Sequence, residues 1–150
     1  MKKYEVLEHP AELRLMIYGK TIEELFINAA EAMANILSSK FKEVQPPKVD
    51  SQYLEVEPLK IESVDLNSLL VDFLSEILAK SQINKCVYLV SKIKITQLPN
   101  YSITKSPSLE AEFIGYPVEH FDEDIKAVTY EDLNIQKING IWQTILVFDI

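Results

Sequence analysis

The stretch Ile141-Trp142-Gln143-Thr144-Ile145-Leu146-Val147-Phe148-Asp149-Ile150 limits the possible folds most, because it is apolar on both alternating faces and carries a carboxylate near its end. Strand side chains alternate between the two faces of a sheet, so Trp142, Leu146, Phe148 and Ile150 share one face and Ile141, Ile145 and Val147 the other. Such a strand needs cover on both sides, which places it at the centre of a sheet. Asp149 then stands at the end of a buried strand beside the terminal carboxylate of Ile150. Two acidic groups in such a place call for a partner.

The rest of the chain supplies elements to surround that strand. Tyr4 to Glu8 alternates as a short strand, and Leu13 to Tyr18 forms a second that Gly19-Lys20 closes. Between them His9-Pro10-Ala11-Glu12 forms a fixed elbow, since Pro10 lacks a backbone donor and restricts His9 to extended conformations. Thr21 with Glu24 makes a capping box, and Ile22, Leu25, Phe26, Ala29, Ala30, Met33, Ile36 and Leu37 keep helical spacing. These signals predict an amphipathic helix over 22–37, packed on one side. Ser38 to Asp50 is a surface loop. Ser51 to Glu57 alternates as a strand, and Pro58 confines its end to an edge or a bulge. Asp65 opens a second helix with Leu66, Leu69, Leu70, Phe73, Leu74, Ile77 and Leu78 as its core stripe and Asp72, Glu76 and Lys80 as a solvated face.

Cys86 to Leu98 is a long strand, Pro99-Asn100 a turn, and Leu109, Ala111 and Phe113 mark a strand ending at Gly115. An acidic loop over 116–125 holds His120, Asp122, Glu123 and Asp124. Lys126-Ala127-Val128-Thr129-Tyr130 begins another strand, and Asn139-Gly140 is a strong hairpin signal leading into the last one. Strands and two long helices that do not strictly alternate predict an α+β domain over residues 1–150: a mixed or antiparallel sheet covered by the two amphipathic helices.

Composition removes several function classes. With 3 glycines there is no phosphate-cradling loop, dinucleotide fingerprint or nucleophile elbow, and the single Cys86 builds neither a disulfide nor a thiolate zinc site. A formal net charge of -8 disfavours direct, sequence-independent binding to RNA. No apolar run is long enough to span a bilayer and no secretory leader is visible, so the expected compartment is the cytoplasm, without membrane association.

What remains is a set of polar residues at strand ends: His9, Glu12, Lys126 and Asp149, with the terminal carboxylate of Ile150. Oxygen donors of this kind suit a hard divalent cation better than zinc. If the strand after Glu12 runs antiparallel to the final one, the start of one lies beside the end of the other and Glu12 faces Asp149. Blander readings compete: His9 braces the elbow, Lys126 pairs with Glu123 or Asp124 at little energetic gain, and Asp149 is a solvated chain end.

These residues together resemble the archease family. The opening Tyr4-Glu5-Val6-Leu7-Glu8-His9-Pro10-Ala11-Glu12 stands where the family has a Tyr-Glu-Val-Leu-Glu-His-Thr-Ala-Asp type motif. The 19–30 and 69–78 segments match its two helix patterns, and Lys126-Ala127-Val128-Thr129-Tyr130 with the Val147-Phe148-Asp149-Ile150 ending is the most specific match. Glu12 and Pro10 depart from the usual Asp and Thr, and the 115–126 loop is shorter than usual. The resemblance implies an accessory protein rather than a catalyst: archeases assist the RtcB-type RNA ligase of tRNA splicing, promoting guanylylation of the ligase's active-site histidine and multiple turnover. It also implies a metal site at Glu12, Asp149 and Ile150, holding calcium or else magnesium or manganese, with Lys126 and His9 serving activation. The ligase is then the expected partner, and tRNA is met only through it. A metal-dependent hydrolase or transferase, with His9 as its base, and a chaperone-like interaction module stay open as alternatives.

Overall fold

A computed structural model describes residues 1–7, 12–39, 54–97 and 106–150. In chain order the elements are β1 (Tyr4–Leu7), β2 (Glu12–Gly19), α1 (Ile22–Leu37), β3 (Leu54–Glu62), α2 (Leu66–Asn84), β4 (Cys86–Thr96), β5 (Ser108–Pro117), β6 (Ala127–Val128), β7 (Gln136–Ile138) and β8 (Ile141–Asp149). The α+β expectation holds, with the strands divided between two sheets instead of one. The first sheet runs β1-β2-β8-β6 with β7 also on β8, the second runs β3-β5-β4, and the described pairings are all antiparallel. β8 lies inside its sheet, as its two apolar faces require. The hairpin ahead of it turns at Asn139 (φ 51°) and Gly140 (φ 79°), both in the left-handed region that this short connection demands.

The first helix begins and ends where its local signals place it. Thr21 Oγ1 accepts from the Glu24 amide at 3.1 Å, and the helix spans Ile22–Leu37. Its cover differs from the expectation. Ala29, Ala30, Ala32, Met33 and Ala34 are all buried along with Leu25 and Phe26, so α1 is enclosed on more than one side. It packs against β2 of one sheet and β4 of the other, and its alanines let both approach closely. β2 runs almost into its first turn: a Cβ on Gly19 would lie 2.4 Å from the Leu25 amide nitrogen. Asn28, itself buried, donates to the Tyr18 carbonyl at 2.7 Å and fixes the same junction.

α2 opens on Asp65, whose Oδ1 accepts from the Ser68 amide at 2.7 Å, and closes at Lys85 in the left-handed conformation. Leu69, Leu70, Phe73, Leu74, Ile77 and Leu78 of its predicted core stripe are buried, with Leu66 partly so and Val71 added, but Asp72 is half-buried and accepts from Ser63 Oγ at 2.6 Å, so it does not belong to a solvated face. Phe26, Phe73, Phe113 and Tyr88 form a chain of rings with centroids 5.7, 6.0 and 6.4 Å apart, joining both helices to the second sheet. β3 does not end at Pro58 but runs through it. The proline sits on an edge strand where the register shifts between Val56 and Leu59, so its missing donor costs no regular ladder bond. Three expectations lie outside the described residues: the His9-Pro10 elbow, most of the 38–50 loop, and the Pro99-Asn100 turn.

Candidate functional site

The antiparallel register of β2 and β8 sets Glu12 directly opposite Asp149. Opposed residues in such a ladder share a face, with Cβ atoms about 4.5–5.5 Å apart, so the first residue of one strand and the last of the other set their acidic side chains on the same face. The other flank of Asp149 is Ala127 of β6, and the Lys126 amide donates to the Asp149 carbonyl at 2.7 Å. Three of the sequence-predicted residues, Glu12, Lys126 and Asp149, are therefore gathered at one strand end, with Ile150 following directly. Asp149 is exposed, while Val147 and Phe148 just before it are fully buried. Burial ends with the last residue of the ladder, so Asp149 stands exposed at the end of a buried strand.

Lys126 reaches this place through a segment tied to the ends of both helices. The Asp122 amide donates to the Leu37 carbonyl at 2.8 Å, and Asp122 Oδ2 accepts from both the amide and the hydroxyl of Ser39 at 2.7 Å. Gln82 Nε2 on α2 donates to the Ile125 carbonyl at 3.0 Å, and the Ile125 side chain is buried. Lys126 itself is exposed. His120 lies 3.7 Å from Asp122 in an exposed part of the same segment.

Sequence reasoning missed a second ring of charge. Arg14 lies two residues beyond Glu12, on the same face of β2 and opposite Val147. Its Nη1 is 2.5 Å from Asp132 Oδ2, and its Nη2 lies 3.5 Å from Glu12 Oε1 and 3.7 Å from Glu131 Oε1. Both acids belong to a turn that the Thr129 amide and hydroxyl pin to the Val147 carbonyl, each at 3.0 Å. Asp132 adopts φ 54°, a conformation aspartate tolerates. Val147, opposite Arg14 in the ladder, is fully buried yet stands outside the main core cluster. A hydrogen bond between the Glu131 and Glu12 carboxyls raises the pKa of Glu131 above its ordinary value of 4.5. The hydrogen bond to Asp132 likewise raises that of Arg14. The alternation of Glu12 with Arg14 was a signal for one half of this ring, but nothing local shows that residues 131–132 fold back onto β2.

The donor set fits a hard divalent cation: it is all oxygen, and two acidic residues stand opposite each other on one face of the ladder. Among the described residues no three His, Cys, Asp or Glu side chains are grouped so as to hold a metal ion by themselves, so a cation here would take its remaining ligands from Ile150 and water.

Fold and site together define a two-sheet α+β protein with paired acids and a lysine at the end of a central antiparallel strand. The chain belongs to the archease family, as the model of the Archease protein family (MTH1598/TM1083) matches residues 4–150. The protein archease of Methanosarcina mazei is 40% identical over 154 residues, covering 99% of this chain and 97% of that protein. The protein archease of Pyrococcus furiosus is 32% identical over the full length of both. The solution structure of Methanobacterium thermoautotrophicum protein 1598 has the same fold, with a TM-score of 0.73 at 23% identity and full coverage of both chains. The crystal structure of a Thermotoga maritima archease, described as a possible chaperone, superposes with a TM-score of 0.56 at 21% identity, covering 96% of this chain and 94% of that one.

Proposed function

We propose that this protein is an accessory factor of an RtcB-type RNA ligase in tRNA splicing, acting in the cytoplasm to promote guanylylation and repeated turnover of the ligase and not as a catalyst itself. The observation that carries this reading is the pairing of Glu12 with Asp149 beside Lys126, in a chain of the archease family. Glu12, Asp149 and Ile150 are the residues that would hold calcium, or else magnesium or manganese. When bound, such an ion supplies positive charge to a phosphate or carboxylate of the partner's site. Lys126 is exposed and anchored through its backbone beside Asp149, and its ammonium would serve the same region. His9, two residues from the end of β1, is assigned with Lys126 to activation.

The test is a ligation assay with the cognate ligase and a tRNA-half substrate, run with substoichiometric amounts of this protein. The expected result is many ligated products per ligase where the ligase alone completes about one round. Product per ligase that does not change on addition would refute the proposal.

A further inference from the structure

Glu12, Glu131 and Asp132 converge on one cation, Arg14. Its side chain is 18% exposed and that of Glu12 16%, whereas Glu131 and Asp132 are 52% and 55% exposed. The guanidinium is therefore held on its sheltered side by β2 and Glu12, and on its open side by the 131–132 turn. A planar group with five donors in a rigid fork can hold three carboxylates at once, which an ammonium does poorly. Exposed pairs of this kind contribute little singly. Here they join an element of the sheet to a turn that carries no regular structure of its own, so their value lies in placing groups.

We propose that Arg14 is a positioning residue that serves as a fixed counter-cation: it holds Glu12 and the Glu131–Asp132 turn together when no metal is bound, and by engaging Glu12 it weakens divalent-cation binding at the strand end. The inference rests on the assignment of Glu12 and Asp149 as the metal-holding pair. Arg14 and a divalent ion then compete for the same carboxylate. Arg14 faces the turn while Asp149 lies across the ladder on β8, so Glu12 has a cation on one side and an acid on the other. Neutralising Arg14 releases Glu12 to the ion. Neutralising Asp132, the nearest partner of Arg14, has the opposite effect, because the guanidinium is then left to Glu12 and Glu131.

The experiment is calcium titration by calorimetry at low ionic strength on the full chain, with thermal unfolding in chelator alongside, for the wild type, Arg14→Gln, Asp132→Asn and Asp149→Asn. The expected results are calcium affinity tightened on the order of fivefold by Arg14→Gln, the size expected for removing one nearby unit charge, and weakened by Asp132→Asn. Both variants should melt lower than the wild type in chelator, so a merely structural role would move their affinities in the same direction. Affinities that move together, or an Arg14→Gln affinity equal to or weaker than the wild type, overturn the role of Arg14 while Asp149→Asn still abolishes binding. Should Arg14→Gln fail to fold, Asp132→Asn decides alone, and unchanged or tighter binding overturns the inference. Absence of calcium binding in the wild type overturns the metal assignment and the inference with it.

Discussion

Glu131 holds a proton more tightly in the folded protein than in the unfolded chain, because its carboxyl shares a hydrogen bond with that of Glu12. A group with a raised folded pKa contributes stability that is fully present below its unfolded pKa and is lost as pH rises through the folded one. Measured in chelator, the wild type should therefore lose stability relative to Glu131→Gln as pH climbs above about 4.5, and the two should converge on acidification. A difference in melting temperature that stays constant with pH would contradict the shared hydrogen bond. Asp149→Asn keeps the volume of the side chain and removes its charge. Under the proposed function it should abolish both ligase stimulation and the melting-temperature rise on adding calcium, while leaving the melting temperature in chelator near that of the wild type. A variant that still responds to calcium and still stimulates the ligase would eliminate the strand-end site. Glu12, Lys126 and Asp149 were legible in the sequence as polar residues at strand ends, which follow from local pattern, while their meeting was expected only from an assumed antiparallel pairing and from the family resemblance. Arg14 and Glu131 were not, because their meeting depends on a turn folding back across about 115 residues of chain.

At the level of elements, the helices were the most legible parts. Cap and periodicity are local, and they placed α1 at the residues where it is found. Its second buried face was invisible because a row of alanines gives the same pattern whether it meets one sheet or two. β3 was harder, since a proline inside a strand is acceptable only where an edge and a register shift coincide, and both are properties of its neighbours. The junction of β2 and α1 gives a sharp test. Gly19→Ala pushes a methyl group to 2.4 Å from the Leu25 amide nitrogen, and backbone cannot swing aside as a long side chain can. The expected cost is about 1–3 kcal/mol, the usual range for overpacking, read from chemical denaturation. A cost near zero would mean that α1 can move away from β2 without loss.

For the whole molecule, the net charge of -8 governs what the protein meets by itself. Isolated protein should bind labelled tRNA very weakly near physiological salt in fluorescence anisotropy, and tight binding would overturn action through the ligase. The described helices include none long and apolar enough to cross a membrane. The first sheet has a further consequence, for the birth of the protein rather than its working life. Leu15 of β2 is the ladder partner of Leu146 of β8, so the sheet joins the two ends of the sequence around everything translated between them. At about 5–20 residues per second, β2 emerges from the ribosome on the order of ten seconds before the strand that completes it. During that interval Leu15 and Ile17, both fully buried in the finished fold, have α1 as their early shelter. The tight Gly19 junction, which brings that helix onto β2 within a few residues of synthesis, therefore also guards the nascent chain.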